Sequence, residues 1–363
     1  LGEHDLTLKG GNSEITGNSG AGNGSKIIFA GDGGLTTGAP NNPIAVDSIK
    51  LGANGKTPTL GAGLYTVANI KLDHVGGTAK FADGFQLTGD INNGAGAAGT
   101  VQFLGDGKVT GALGTGANPV GAVTVTGNVK TLQLDGSVNA TSLNGNAVGD
   151  QDLKLINAAA ITVDGTVGNA QAFRKIEFAG GGKVTFNGAG DLTAPTTFHF
   201  SEDNVVETDT FDLAGTNITN DAGKNDSKFV VNVAQTITGD IGTSNAERFG
   251  ALHVNAGGVT HVTLNTANFF AGVTGANAQV VFNKVGGSSV SHLGTNAQKI
   301  TNANFVQDGQ VFDAVNANTV DVRDNRTATF NHATFNAALK MHGANSTATF
   351  ASKVAIGTAM EAN

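Results

Sequence analysis

The chain contains 363 residues, 54 of them glycine, and carries a formal net charge of −8 at pH 7. It has no cysteine, which excludes disulfide scaffolds, cysteine-ligated zinc sites and thiol enzymes. A sequence pI near 5.4 argues against nucleic-acid binding, which needs lysine and arginine to neutralise phosphates. Because glycine, threonine and asparagine are weak helix formers, the composition is typical of an all-β protein with many turns.

Short apolar-polar-apolar triplets recur along the chain, and this alternation predicts short, half-buried strands. Successive triplets begin roughly 20–31 residues apart, which is in the range of solenoid repeats. In chain order the strands are predicted at Ile49–Leu51, Ile70–Leu72, Val101–Phe103, Leu132–Leu134, Leu153–Leu155, Ile176–Phe178, Phe198–Phe200, Phe229–Val231 and Leu252–Val254. Glycine and asparagine after the triplets supply the backbone conformations that tight turns require.

Strands this short are stable only when each coil packs its apolar side against the next coil. The spacing therefore predicts a single-stranded parallel β-helix, with roughly 14–17 rungs of about 20–31 residues. A β-propeller needs blades of about 40–50 residues with characteristic motifs, which the chain lacks. A Greek-key or jelly-roll arrangement stays as the alternative.

The sequence shows no linker, so residues 1–363 are predicted to form one β-helical segment. The acidic stretch 201–227 is predicted to be an irregular excursion from it. Phenylalanine becomes frequent only after about residue 170, which predicts a change from an aliphatic to an aromatic core. The predicted core ladder consists of Phe103, Phe178, Phe200, Phe282, Phe330 and Phe350. The last two each end a Thr-Ala-Thr-Phe segment, 20 residues apart, and are predicted to stack on neighbouring rungs.

Two groups of residues suggest metal binding or hydrolysis. The acidic tract could supply oxygen ligands to calcium from Glu202, Asp203, Glu207, Asp209 and Asp212. The chain lacks the nonapeptide repeat of calcium-loaded β-rolls, so a solvated charged loop is the preferred interpretation. Ser19, in Gly-Asn-Ser-Gly, resembles a serine-protease nucleophile, with His4 and Asp5 nearby, but a glycine-rich turn is preferred. The eight histidines show no zinc-binding spacing, and we expect no metal and no cofactor.

Asp321 and Asp324 flank Arg323. Carboxylates with a nearby cation are typical of β-helical polysaccharide lyases and hydrolases. An exposed ion pair between Asp321 and Arg323 is the preferred interpretation, because sugars are usually held on exposed aromatic rings and the chain has one tyrosine and no tryptophan. We therefore predict no catalytic residues.

Two segments resemble a known family. Residues 125–150 (VTGNVKTLQLDGSVNATSLNGNAVGD) and 237–258 (ITGDIGTSNAERFGALHVNAGG), together with the composition, resemble rickettsial surface antigens. These antigens are autotransporter passenger domains of the outer-membrane protein A and B type. The resemblance implies a β-helical passenger that is exported through a C-terminal membrane barrel and located at the bacterial cell surface. It also implies an adhesin or surface-layer component in host-cell attachment and invasion.

We therefore predict a non-enzymatic surface protein. Its expected partners are a host-cell surface protein and neighbouring copies in a surface layer, with no nucleic acid. No stretch of about 18 apolar residues is present, so we expect no membrane insertion by this segment. Two alternatives stay open. A cleft lined by three or more carboxylates would favour a polysaccharide lyase or hydrolase, and a stable trimer would favour a structural fibre.

Overall fold

The computed structural model shows an all-β protein. It describes residues 5–15, 24–37, 43–51, 56–73, 76–94, 99–187, 197–208, 215–224, 226–232, 234–242, 249–254, 260–264, 269–275, 278–283, 288–351, 354–356 and 360–362. Strands pair in parallel, for example Asp5–Leu8 with Lys26–Phe29 and Thr327–Phe330 with Thr347–Phe350. Among the same residues there is no helix long and apolar enough to cross a membrane.

The first seventeen strands are short and closely spaced. They are β1 Asp5–Leu8, β2 Gly11–Ile15, β3 Lys26–Phe29, β4 Gly33–Thr37, β5 Ile44–Leu51, β6 Thr59–Leu60, β7 Gly63–Leu72, β8 Thr78–Phe81, β9 Phe85–Asn93, β10 Thr100–Phe103, β11 Gly107–Val109, β12 Val120–Val125, β13 Thr131–Leu134, β14 Val138–Asn144, β15 Asp152–Ile156, β16 Ile161–Val167 and β17 Lys175–Ala179. All nine predicted triplets lie within strands of this set or of the following one.

The later strands have similar lengths. They are β18 Lys183–Phe186, β19 Thr197–Phe200, β20 Val205–Thr208, β21 Asn217–Asn220, β22 Lys228–Val231, β23 Gln235–Ile237, β24 Phe249–Val254, β25 Thr260–Leu264, β26 Phe269–Thr274, β27 Ala278–Phe282, β28 Ser288–Leu293, β29 Ile300–Phe305, β30 Gly309–Val311, β31 Val315–Val322, β32 Thr327–Phe330, β33 Thr334–Met341, β34 Thr347–Phe350, β35 Ala355–Ile356 and β36 Met360–Ala362.

The chain divides into two compact units, residues 1–177 with 187–195 and residues 178–186 with 196–363. In the first unit, one column of paired residues passes through successive turns: Leu6, Ile27, Ile49, Ile70, Ile91, Leu113, Val138 and Val163. From the second member onward, every side chain is at most 1% exposed. Burial of this aliphatic column, together with hydrogen bonds between turns, stabilises the stack.

The second unit repeats the arrangement. Its corresponding column consists of Val184, Val206, Phe229, Leu252, Val273, Leu293, Val315, Phe335 and Ile356. In both columns the step from one member to the next is roughly 20–25 residues, the length of one solenoid turn. The predicted parallel β-helix is therefore confirmed, and both units are β-solenoids.

The longer predicted steps, such as that from Ile70 to Val101, have a geometric explanation. Each turn contains strands on different sides of the solenoid, so more than one inward column runs through each unit. Ile70 pairs with Ile91 on one side, whereas Val101 pairs with Ala79 on another. The separation of Ile70 from Val101 is thus one full turn plus one side. The predicted upper limit of 31 residues per rung is therefore too long, because a single turn has roughly 20–25 residues.

The predicted excursion at 201–227 also needs correction. Strands β20 and β21 lie within it, and Val206 pairs with Val184 before it and Phe229 after it. These strands belong to the solenoid because burial alternates along both of them: Val206 and Ile218 are buried, whereas Glu207 and Thr219 point outward. Residues 209–214 and 225 lie outside the described ranges.

The six phenylalanines of the predicted core ladder occupy several columns. Phe103 pairs with Phe81 in the first unit. In the second unit, the ring centroids of Phe178 and Phe200 are 4.9 Å apart. Two separate columns of that unit contain Phe282, which stacks on Phe305 at 4.8 Å, and Phe330, which stacks on Phe350 at 5.3 Å. Five of the six are buried, and Phe350 is half-buried.

Candidate functional site

Aspartates at the corners of the solenoid accept hydrogen bonds from the following turn. The Oδ1 atom of Asp83 accepts from the amide of Asp106 at 2.7 Å, and Asp106 Oδ1 accepts from the amide of Thr131 at 2.8 Å. The pKa of Asp83 is lowered, first by a hydrogen bond from Lys130 and then by the Asp106 amide. The Gly-Asp-Gly segment at Asp106, which superficially resembles a calcium motif, thus connects successive turns.

The acidic residues predicted as calcium ligands have protein partners where they are described. Glu202 forms an ion pair with Lys224, and Asp203 Oδ1 accepts from the Asp226 amide at 3.1 Å. Glu207 forms an ion pair with Lys183 and accepts from Asn232 Nδ2 at 3.0 Å. Asp209 and Asp212 lie outside the described residues. Within those residues, no three histidine or carboxylate side chains are grouped to hold a metal ion.

Asp321 and Arg323 have different partners. Asp321 is buried, and its Oδ1 lies 3.0 Å from Nε2 of His342 on the next turn. The Arg323 Nε atom donates to Asn304 Oδ1 at 3.1 Å. The two residues are therefore in separate contacts and not in the predicted exposed ion pair, because hydrogen bonds across turns are available to both. Ser19 and His4 lie outside the described residues.

The single tyrosine does not form a surface for sugar binding. Tyr65 is fully buried and donates its hydroxyl to the backbone oxygen of Leu35 at 3.0 Å. Its ring centroid lies 5.0 Å from that of Phe85. Burial raises the pKa of the phenol. Any ligand of the outer surface is therefore recognised by other side chains.

Three loops of the first unit lie at one corner on successive turns. Residues 104–106 join β10 to β11, residues 126–130 join β12 to β13, and residues 145–151 join β14 to β15. Both sets of strands are consecutive parallel neighbours, so their connections must stack. Each loop carries one exposed large hydrophobic residue: Leu104 (38% exposed), Val129 (63%) and Val148 (72%). No other large hydrophobic in the described part of the chain is as exposed. We call these three residues the corner surface.

Two polar side chains, the buried Gln151 and the half-buried Asn146, hold the loops of the corner surface in place. Gln151 is fully buried, and its Oε1 accepts from the Asn146 amide at 2.8 Å while its Nε2 donates to Gly127 O at 2.5 Å. Asn146 Nδ2 also donates to Gly127 O, at 2.9 Å, and its Oδ1 accepts from the Val148 amide at 2.8 Å. The loop that carries Val148 is thereby tied to the loop that carries Val129.

Val129 has an unusual backbone conformation and charged neighbours. Its φ angle is +51°, in the left-handed region that β-branched residues rarely occupy. Such strain concentrates at functional positions. The adjacent Lys130 reaches Asp83 at 2.7 Å and Asp106 at 3.4 Å. The corner surface therefore consists of exposed apolar side chains on three stacked loops, and an ion-paired network lies beside Val129, as at the edge of many protein interfaces.

A second feature of the first unit is a polar groove of about 410 Å³. It follows the outer side of β5, β7 and β9, and the backbone-paired segment between Thr115 and Asn118 forms one wall. Its lining contains no aliphatic or aromatic side chain: Lys50, Asn69, Lys71, Asp73, Asn92, Asn93, Gly94, Thr115 and Asn118. The groove falls within the size range of small-ligand sites, roughly 300–1,000 Å³, but is far more polar than most of them.

Charges in the polar groove are only partly balanced. Lys50 and Lys71 are direct partners on neighbouring strands, an arrangement in which like charges repel. Lys50 forms an ion pair with Asp73 at 2.7 Å. Lys71 is exposed and has no ion-pair partner in the part of the chain that the structure describes. The Oδ1 atoms of Asn69 and Asn92 are enclosed and lack hydrogen-bond partners among the same residues.

The fold defines this chain as a parallel β-solenoid, and the first unit has two distinctive outer surfaces, the corner surface and the polar groove. Comparisons with protein-family models, with curated proteins and with solved structures gave no match. Sequence reasoning did not identify either surface. Bulky valines within glycine- and asparagine-rich loops, at Val129 and Val148, were the available signal for the corner surface.

Proposed function

We propose that this protein is a non-enzymatic bacterial surface protein, an adhesin of the autotransporter-passenger kind that attaches to a protein of the host-cell surface. The solenoid is the rigid support, and the corner surface is the contact site. One observation carries the proposal: the three most exposed large hydrophobic side chains of the described residues lie together at one corner, on three successive turns.

Physical arguments support a protein as the partner. Scattered single hydrophobic residues on a surface are ordinary, but a group of them marks an interaction site. Because Gln151 and Asn146 fix the loops, little conformational entropy is lost when a partner binds. The ion-paired rim around Lys130 supplies the polar border that excludes competing contacts. Multiple copies on one cell would increase the apparent affinity.

The test is binding of the purified, fluorescently labelled protein to epithelial cells, measured by flow cytometry. We expect saturable binding to intact cells and loss of binding after the cells are treated with trypsin. A triple variant, Leu104→Ser, Val129→Ser and Val148→Ser, should bind at least about tenfold more weakly. Truncation of one interface anchor can cost about 2 kcal/mol, and about 1.4 kcal/mol already corresponds to a tenfold change in the dissociation constant.

A matched control carries Thr66→Ser and Gln86→Ser, two exposed positions outside the corner surface, and should bind like the unmodified protein. Circular dichroism must show that all variants retain β structure. If the unmodified protein does not bind cells, the adhesin proposal is wrong. If it binds but the triple variant binds equally well, the corner surface is not the contact site.

A further inference from the structure

The polar groove has a composition that selects its ligand. All nine lining residues are asparagine, lysine, aspartate, threonine or glycine, so a ligand gains little from apolar burial there. The groove extends over neighbouring turns, from Lys50 on β5 through Lys71 on β7 to Asn92 on β9. A matching ligand is therefore polar along its whole length and spans more than one turn.

One negative charge is required to balance the groove. Lys50 and Lys71 stand side by side on neighbouring strands, and Asp73 neutralises only Lys50. Gly94 allows this geometry, because a Cβ atom there would lie 2.5 Å from the Asp73 carboxylate. The Lys71 ammonium is left as a three-proton donor at the exposed surface of the groove. A carboxylate is its natural partner.

The asparagine amides match hydroxyl groups. The Oδ1 atoms of Asn69 and Asn92 are enclosed acceptors without partners in the described residues, and an acceptor left unpaired is unfavourable. An amide offers both an acceptor and two donors, and a sugar hydroxyl both donates and accepts. Because each Oδ1 atom is enclosed, a ligand hydroxyl can donate to it only after the terminal amide turns toward the groove, and the amide then also offers its two donors.

We propose that the polar groove binds an acidic oligosaccharide, with a uronic-acid carboxylate on Lys71 and ring hydroxyls on Asn69 and Asn92. The site is separate from the corner surface and does not depend on the proposed attachment to a protein. Because the groove lacks aromatic rings, the affinity of a single site should be low. Because the main contact is between the carboxylate and exposed Lys71, salt should weaken binding strongly. Repetition of the protein on a surface would compensate for the low affinity.

The experiment measures binding of galacturonate trisaccharide to the full chain by saturation-transfer difference NMR and by titration calorimetry. Cellotriose serves as the neutral trisaccharide, and sodium sulfate as the simple anion. We expect binding of the acidic trisaccharide only. Lys71→Gln should weaken it about tenfold, and Asn92→Ala should weaken it severalfold.

Lys80→Gln is the matched control, since it removes the same charge from a different side of the solenoid and should leave binding unchanged. Circular dichroism establishes that each variant is folded. The proposal is overturned if the acidic trisaccharide does not bind at millimolar concentration or if cellotriose binds equally well. It is also overturned if sulfate competes at the same concentration, or if Lys80→Gln and Lys71→Gln weaken binding equally.

Discussion

The two solenoid units build the same interior column from different side chains. In the first unit, the column from Leu6 to Val163 contains only leucine, isoleucine and valine. In the second unit, the column from Val184 to Ile356 includes Phe229 and Phe335. Both keep nearly the same turn length, which shows that parallel hydrogen bonding and inward-outward alternation fix the register. The identity of the apolar residue is secondary as long as the volume is filled.

The outer surfaces of the units differ more than their interiors. The three exposed large hydrophobics and the polar groove both belong to the first unit. In the second unit, outward positions are occupied by local pairs, such as His253 with Thr274 at 2.7 Å and Lys183 with Glu207. Burial and the nearby Lys228 lower the pKa of His253, with Glu207 opposing them. Aromatic stacking occurs inside both units, for example between Phe81 and Phe85 in the first and between Phe282 and Phe305 in the second, so the units differ at their outer surfaces.

The largest expected effect tests the aromatic core of the second unit. Phe330 is 1% exposed, and its ring lies 4.9 Å from Phe335 and 5.3 Å from Phe350. Phe330→Ala should reduce the free energy of unfolding by about 3–5 kcal/mol, because it removes a buried ring and leaves a cavity. Hydrogen exchange measured by mass spectrometry should show the loss in β32 and its neighbouring strands.

Phe350, the half-buried residue that stacks on Phe330, provides the control for Phe330→Ala. Phe350→Ala should have a smaller effect than Phe330→Ala, and the double variant should reveal a coupling of about 0.5–1.5 kcal/mol between the rings. Equal losses from the two single variants, with strict additivity in the double variant, would contradict the stacking of β32 on β34.

An effect of intermediate size is expected at Glu177, which should make the free energy of unfolding depend on pH in the first unit. Burial alone would raise the pKa of Glu177, but hydrogen bonds from Lys154 and Lys175 outweigh burial and lower it from 4.5 to about 2. Its stabilisation is therefore complete above pH 4.5 and is lost as the pH falls toward 2. At pH 7, Glu177→Gln should reduce the free energy of unfolding by about 1.5–3 kcal/mol. Urea titrations at pH 7, 4.5 and 2.5 should show this difference shrinking at the lowest pH.

Glu207→Gln tests the same principle in the second unit. Hydrogen bonds from Lys183 and Asn232 lower the pKa of Glu207, so stability should again decrease with acid. If Glu177→Gln shows an equal loss at all three pH values, the loss comes from packing, and Glu177 is not the acid-sensitive group.

The sequence predicted the repeating strands well because alternation is a local property. In Leu132–Leu134, for example, the first and last residues are buried and Gln133 is more exposed, as the triplet requires. The sequence pattern did not predict which side of the solenoid each triplet occupies, because that depends on where the chain turns a corner within each turn. Ile70 and Val101 are consecutive triplets in the sequence, but they lie on different sides of the solenoid.

Surface features were harder to predict for a related reason. Whether Val148 is buried or exposed depends on the path of its loop, which Gln151 determines through contacts with the preceding turn. The neighbouring lysines of the polar groove, Lys50 and Lys71, are one full turn apart in the sequence, and only the register brings them together. Single-residue patterns do not contain that information.

The smallest expected effect separates stability from binding at the corner surface. Val129 is mostly exposed and has a φ of +51°, a conformation that glycine adopts at no steric cost. Val129→Gly relieves strain of about 1–2 kcal/mol, while the greater freedom of glycine in the unfolded chain costs about 0.5–1 kcal/mol. Unfolding by urea should therefore show a net gain of up to about 1 kcal/mol. Val148→Gly, at an exposed position without a positive φ, should instead lose about 0.5–1 kcal/mol.

The same pair of variants decides what the strain at Val129 is for. If the strained loop serves to present an apolar side chain to a partner, Val129→Gly should fold more stably yet bind epithelial cells more weakly, in the usual trade-off between stability and function. Val148→Gly should lose both stability and binding, since it removes a somewhat more exposed anchor without relieving strain. A Val129→Gly variant that is more stable and binds as well as the unmodified protein would remove Val129 from the contact site. The left-handed conformation would then be a consequence of joining β12 to β13 through the short corner at residues 126–130, next to the ion pairs of Lys130.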